Sequence, residues 1–281
     1  MAHVKKGVSA RENNRDEGRY CLKECFESSA IPIYKNIASA LNKSFVECFL
    51  RCADHFKDVA YVSEFSKHVS ERLMKIYECG GDAKVLLDET KKYIDNLEQA
   101  TRQAFWGVFR YEASLQSRLT VHGSSHHLPL EISLAWDPLF NVPYIPSSSI
   151  RGVVRAFYGE NDSHVADLFG DVDHMSNIVF FDAYPVRCEG RSLIEADVIT
   201  PHYVEIAGRM DEARSSPIPL IFPVLAPGTV LHILVALKRP VENDLLSDFV
   251  NKVGKALESG LGARTSVGYG RICVKVLNKE D

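Results

Sequence analysis

Gly260-Leu261-Gly262-Ala263-Arg264-Thr265-Ser266-Val267-Gly268-Tyr269-Gly270-Arg271 sets four glycines around two arginines, a threonine and a tyrosine. Glycine takes positive φ without steric cost and lets a ligand reach the backbone. Closely spaced N–H groups in such a loop form an anion-binding nest. Arg264 and Arg271 add charge and forked donors suited to phosphate. The chemistry indicated is a grip on a phosphate backbone, with a plain turn as the competing reading. A nucleotide P-loop does not fit. Its G-x-x-x-x-G-K-[ST] positions fall on Glu258, Ala263, Arg264 and Thr265, so both glycines and the lysine are missing. The order is also reversed, with a helix before the loop and a strand after it, and the dinucleotide fingerprint fails for the same reason.

The charge around this loop differs from that of the whole chain. Residues 251–281 hold six basic side chains (Lys252, Lys255, Arg264, Arg271, Lys275, Lys279) against three acidic ones (Glu258, Glu280, Asp281), a net +3. Residues 144–158 carry Arg151 and Arg155 and no acid. The chain as a whole is at −4, which argues against indiscriminate nucleic-acid binding. Local basic sites on an acidic body suggest a path for a polyanion.

Composition is that of a globular protein, with 46% hydrophobic and 25% charged residues in 281. No uncharged run is long enough to cross a bilayer. Met1-Ala2-His3-Val4-Lys5-Lys6 has no apolar signal core behind it, so the expected location is the cytoplasm. Seven cysteines without a tight framework are then expected as reduced thiols. Cys21/Cys25 and Cys48/Cys52 are each one helical turn apart, and packing is preferred there over a zinc site.

Residues 1–109 read as a helical region. Ile33, Ile37, Leu41, Phe45 and Phe49 recur at every fourth position, with Val46 and Leu50 alongside. Val62, Phe65, Val69, Leu73, Ile76 and Tyr77 form a second stripe, and Ile94, Leu97, Thr101, Ala104, Phe105 and Val108 a third. Gly80-Gly81-Asp82 separates the last two.

From Arg110 the period becomes two. Tyr111, Ala113, Leu115, Leu119 and Val121 alternate with polar residues, which predicts a strand with one buried face. On the polar face Arg118 and His122 are modest binding candidates. A loop with His126 and His127 follows, where solvated histidines are preferred over a metal site. A hairpin is expected over 132–146.

Pro146-Ser147-Ser148-Ser149 then reads as a helix start with a capping serine. Ile150, Val153, Val154 and Phe157 form its buried stripe, with Ser148, Arg151 and Arg155 on another face and Gly152 leaving room there. A helix N-terminus flanked by arginines suits phosphate. The competing reading is an ordinary exposed helix.

Together these two segments resemble the RAMP superfamily (repeat-associated mysterious proteins) of CRISPR systems. Its members carry I-P-G-S-S-[LI]-[KR]-G at a helix start, matched by Ile145 to Gly152 with Ser147 in place of the usual glycine. They carry a C-terminal G-[IL]-G-[AG]-[KR]-T-x-x-G-[YF]-G, matched by Gly260 to Gly270 with Arg264 in place of the usual lysine. Asp167-Leu168-Phe169-Gly170 is similar to the superfamily's L-F-G segment. Phe181-Asp182-Ala183-Tyr184-Pro185 and Asp197-Val198-Ile199-Thr200-Pro201-His202-Tyr203 resemble one branch, the sixth subunits of the type III-B effector, the Cmr complex. The resemblance spans about residues 110–277 and leaves the N-terminal helices unmatched.

The fold implied is α+β, a ferredoxin-like (RNA-recognition-motif-like) domain over 110–281 behind the helical region. Residues 186–216 form a polar insertion long enough to project, with Arg187, Arg191, His202 and Arg209 in reach of a guide–target duplex. Pro217–Leu225 and Thr229–Leu237 read as strands joined at Ala226-Pro227-Gly228, 245–257 as a second helix, and Ile272, Val274 and Val276 as the last strand.

The resemblance implies a non-catalytic RNA-binding backbone subunit that holds the 3′ part of the guide RNA. Ser147, Ser148, Ser149, Arg151 and Arg155 are expected to converge with Arg264, Thr265, Gly268, Tyr269 and Arg271 on one strand, with Tyr269 stacking on a base or ribose. The implied partners are guide RNA, target RNA, the repeating backbone subunit and another RAMP subunit, with no cofactor and no metal. The rival is a RAMP endoribonuclease using His122 or His126 in acid–base chemistry. The loop from His122 to Leu130 lacks the aspartate of the superfamily's target-cleaving subunits.

Overall fold

Thr229 to Leu237 reads Thr-Val-Leu-His-Ile-Leu-Val-Ala-Leu, and every one of these residues is buried. A strand apolar on both faces must be covered on both faces, and this one is the centre of the molecule. The computed structural model describes residues 16–277 apart from 30, 32–35, 57, 122–126, 160–163, 173, 201–203, 207–208 and 212–218.

The elements run in the following order. Helices α1 (16–28), α2 (Ile37–Cys52), α3 (Asp58–Ile76) and α4 (Ala83–Ala104) come first. Strand β1 (Gly107–Leu115), the hairpin β2 (Trp136–Asp137) and β3 (Val142–Pro143), helix α5 (Ser147–Tyr158) and helix α6 (Val165–Phe169) follow. Next are β4 (Ile178–Phe180), β5 (Tyr184–Cys188), β6 (Ile194–Ile199), β7 (Val204–Ile206), β8 (Arg209–Asp211) and β9 (Leu220–Leu225). The chain closes with β10 (Thr229–Leu237), α7 (Asn243–Glu258) and β11 (Ile272–Leu277).

The main sheet has the order β11-β1-β10-β4, with β5 also on β10, and every pairing is antiparallel. With α5 between β1 and β4, and α7 between β10 and β11, this is the β-α-β-β-α-β ferredoxin-like topology. Alternation along β1 separates the two faces. Tyr111 meets α7, its hydroxyl donating to Val250 O at 3.3 Å, and Phe109 packs edge-on against Phe249 at 6.0 Å. Arg110 points the other way, donating to Glu98 of α4 at 2.9 Å. Helix α4 thus covers the sheet face opposite α5 and α7.

An acid in the buried stripe of α4 follows from that contact. Leu87, Thr90, Ile94, Glu98 and Thr101 face inward, and Glu98 faces Arg110. His232 of β10 lies opposite Glu112 of β1 and accepts from Arg110 Nε at 3.1 Å. Burial and the Arg110 charge push its pKa down to about 4, against the opposing pull of Glu112.

Helix α3 serves a second sheet. Tyr61, Phe65, Val69 and Leu73 are buried, and Ser66 Oγ donates to Ile221 O of β9 at 2.6 Å. Strand β9 pairs with β6. Strands β9 and β10 follow one another across Ala226-Pro227-Gly228 as expected, but β10 pairs with β1, β4 and β5. The β6/β9 pair, with β7 and β8 inside it in sequence, is an arm leaving the main sheet. Its root is tied to the α3–α4 corner. Leu193 N donates to Tyr77 O at 2.9 Å, and Cys79 N to Arg191 O at 3.0 Å.

Two expectations are corrected. The cysteines are paired: Cys21–Cys52 and Cys25–Cys48 join α1 to α2, and Cys79–Cys188 joins the corner to the end of β5. Their Cα separations of 6.0, 5.7 and 5.3 Å fit disulfides, and Cys273 alone is free. The inner stripe of α2 is accordingly Ile37, Leu41, Ser44, Cys48 and Cys52, while Val46, Phe49 and Leu50 are exposed. Ile33 lies outside the described residues. Among the described residues, no helix is long and apolar enough to cross a membrane, and no group of three potential ligands is placed to hold a metal ion.

Candidate nucleic-acid interface

The glycine loop closes on itself and on the segment that follows β1. Leu261 N donates to Gly270 O at 3.0 Å, Gly270 N to Arg118 O at 2.8 Å, and Ala263 N to Thr120 O at 2.8 Å. A Cβ on Gly270 would lie 1.8 Å from Leu261 O, and one on Gly262 would lie 2.5 Å from Thr120 O. Both residues also have positive φ, 66° and 88°. Glycine at these positions is therefore required by the loop's own closure. Gly268 differs, since a Cβ there meets nothing within 4 Å.

Arg264 takes a left-handed φ of 62° and heads the short turn Thr265–Val267. Its guanidinium stacks over the Tyr269 ring at 4.8 Å from the centroid. Its Nη1 is buried and makes no hydrogen bond among the described residues. Thr265 and Arg271 are exposed beside it.

Tyr269 is engaged by the protein itself. Its hydroxyl donates to Asp197 Oδ2 of β6. Burial and this hydrogen bond push the phenol's pKa up, against the lowering effect of Arg264 and Arg118. Asp197 also receives Arg118 Nη1 at 3.3 Å, and Glu195 receives Arg118 Nε at 3.1 Å.

The start of α5 is similarly occupied. The N-cap position is Pro146, which has no capping side chain. Asp182 Oδ1 accepts the Ser147 N–H at 2.6 Å, which corrects the expectation of a capping serine. The buried stripe is Ile150, Val154 and Tyr158, with Val153 partly covered and Phe157 exposed. Arg151 Nη2 donates to Phe169 O at 2.8 Å. Exposed Arg155 lines, with Arg151, Gly170 and Ser176, a cleft of about 660 Å³. Ser148 is exposed and Ser149 half-buried.

The expected convergence takes a different form. Helix α5 begins beside Ala183, next to β5 at one side of the main sheet, while the glycine loop leads into β11 at the other. The two basic patches lie toward opposite edges of the main sheet. His122, His126 and His202 lie outside the described residues. Arg187 is exposed and paired with Glu112 and Glu189.

Three anchors were missed as functional candidates, although their segments were singled out. Phe169 of the L-F-G segment holds Arg151, Asp182 holds the start of α5, and Asp197 holds Tyr269. Each of these contacts joins two segments that carry the family resemblance, and membership of those segments was the signal the sequence offered.

Comparison with known proteins bears on the family and the fold. The family model of the RAMP superfamily matches residues 129–273. The CRISPR system CMR subunit Cmr6 of Saccharolobus solfataricus is 32% identical over 213 residues, 74% of this chain and 70% of that protein. A chain of the type III-B Cmr-beta complex bound to cognate target RNA, solved by cryo-EM, shares the fold with a TM-score of 0.69. That match has 24% identity and covers 94% of this chain and 99% of the other.

Proposed function

The chain belongs to the RAMP superfamily, on the branch of the Cmr6 subunits, and on that premise we propose that it is an RNA-binding backbone subunit of a type III-B CRISPR ribonucleoprotein. It holds the 3′ part of the guide RNA for target recognition in antiviral defence, in the cytoplasm, and cleaves nothing itself. Its partners are guide and target RNA, the repeating backbone subunit and another RAMP subunit. Residues 110–281 hold the RNA, and α3 of the preceding helical region braces the arm.

The observation that carries this reading is Arg264. A buried guanidinium nitrogen without an acceptor is costly, and this one sits in a loop open at Gly268, with exposed Thr265 and Arg271 alongside. Phosphate is the acceptor that the guanidinium fork matches, reached once Nη1 is uncovered at the open side of the loop. Arg155, with Ser148 and Ser149, supports a second stretch of backbone on the α5 side, where Arg151 and Ser147 hold the geometry.

The test is ultraviolet crosslinking of the tagged protein within its complex, purified from its host. Repeat-derived guide RNA joined to peptides around 145–155 and 260–271 is the expected result. Arg264→Ala with Arg271→Ala removes the second crosslink, and His122→Ala or His126→Ala leaves RNA processing unchanged. Partners recovered without any crosslinked RNA would sink the reading.

A further inference from the structure

The glycine loop and the arm are joined by a circuit of three contacts, closed by the peptide bond between Tyr269 and Gly270. Arg118 O accepts the Gly270 N–H at 2.8 Å, and the Arg118 guanidinium reaches Asp197 Oδ1 at 3.3 Å. Asp197 Oδ2 takes the hydroxyl of Tyr269, the residue before Gly270. Asp197 is well buried, at 9% side-chain exposure, and its strand β6 is one side of the arm. Its neighbour in the strand's alternation, Glu195, binds the same arginine at 3.1 Å. Two carboxylates beside a polyanion path are unfavourable; Arg118 offsets one of the two charges, and the tyrosine hydroxyl satisfies Asp197 with a hydrogen bond.

The circuit sets the direction of the Tyr269 ring, and the ring in turn carries the Arg264 guanidinium at 4.8 Å. Thr265, Ser266 and Val267 are exposed, so among the described residues this turn is held by its own backbone hydrogen bonds rather than by burial. The placement of the Arg264 guanidinium therefore depends on the strut beneath it.

Building on the function proposed above, we infer that Asp197 is a positioning residue that couples the arm to the phosphate grip of the glycine loop, with Tyr269 as a strut carrying Arg264 rather than a platform for a base. Any partner or duplex that displaces β6 thereby changes how Arg264 is presented. The guide's grip and the arm's position are one linked equilibrium.

The two roles of Tyr269 separate on a single oxygen. Tyr269→Phe keeps the aromatic face and removes the strut. The readout is crosslink yield of guide RNA to peptides 260–271 in the purified complex, followed over a salt series. For the strut, Tyr269→Phe and Asp197→Asn each lower the yield about tenfold, the scale of one charge-assisted hydrogen bond. Both also lower the salt slope by about one, as Arg264→Ala does, because one phosphate contact is lost. A merely structural role lowers the melting temperature and leaves the slope alone. Tyr269→Phe at wild-type yield with Tyr269→Ala impaired returns the residue to base stacking and overturns the inference. Loss of the effect of Arg264→Ala itself would instead overturn the function proposed above. Tyr269→Phe keeps the test valid if Asp197→Asn fails to fold.

Discussion

Asp182 Oδ1 accepts the Ser147 N–H at 2.6 Å, so the first turn of α5 is capped from a loop 35 residues further along the chain. A carboxylate at that place answers an orphan donor and complements the helix dipole. Asp182→Ala is expected to cost about 1 kcal/mol, the usual worth of a cap, and to lower the melting temperature by about 2–3 °C. Thermal melts of Asp182→Ala and Asp182→Asn check this. An unchanged melt would mean that α5 is held by its packing alone.

The His232 site predicts acid sensitivity. Folding lowers this pKa from 6.5 to about 4, so between those values the unfolded chain holds the extra proton. Stability from the site is complete above about pH 6.5 and is lost as the pH falls toward 4. The loss is on the order of 3 kcal/mol at most, at about 1.4 kcal/mol per pKa unit. Glu98 and Glu112 act in the same direction. Burial pushes both up, but hydrogen bonds from Arg102 and Arg110 to Glu98, and from Arg187 and His232 to Glu112, outweigh it and hold both below the usual range. Urea unfolding of wild type and His232→Gln at pH 7, 5.5 and 4.5 should show a flatter profile for the variant.

The disulfides give a prediction that can be counted. Six of the seven cysteines are paired and Cys273 is free. Unfolded without reductant, the chain should react with one equivalent of a thiol reagent, and with seven after a dithiol reductant. Replacing Cys79 and Cys188 with serine removes a link across 109 residues. In the chain-entropy account that costs roughly 4–5 kcal/mol. Seven reactive thiols before reduction would show that the cysteines are only close-packed.

The loop glycines are not equivalent. Gly270→Ala drives a Cβ into Leu261 O, whereas Gly268→Ala meets open space and bears only the strain of a φ of 94°. The second change is expected to cost about 1 kcal/mol. The first should displace the loop and abolish crosslinking at 260–271. Equal effects from the two would mean that the loop's closure on Leu261 is unimportant.

What was legible in the sequence rests on local periodicity. Phe65, Val69 and Leu73 share a helix face, and Tyr111, Ala113 and Leu115 share a strand face, because residues three to four or two apart must do so. The glycine pattern was legible as a loop with room at its backbone, but at Gly270 that room is taken by Leu261 rather than by a ligand.

Everything that depended on which surfaces meet needed the tertiary structure. Phe49 and Val46 continue the apolar stripe of α2, yet they are exposed because the disulfides turn Cys48 and Cys52 toward α1. Strand β9 follows the rule for a hairpin with β10 but pairs with β6, where α3 covers it. Asp197 and Tyr269 are 72 residues apart, and nothing in either neighbourhood specifies the other. A side chain's period is a property of the chain, whereas its partner is a property of the packing, and the arm and the glycine loop are brought to one another only by the packing.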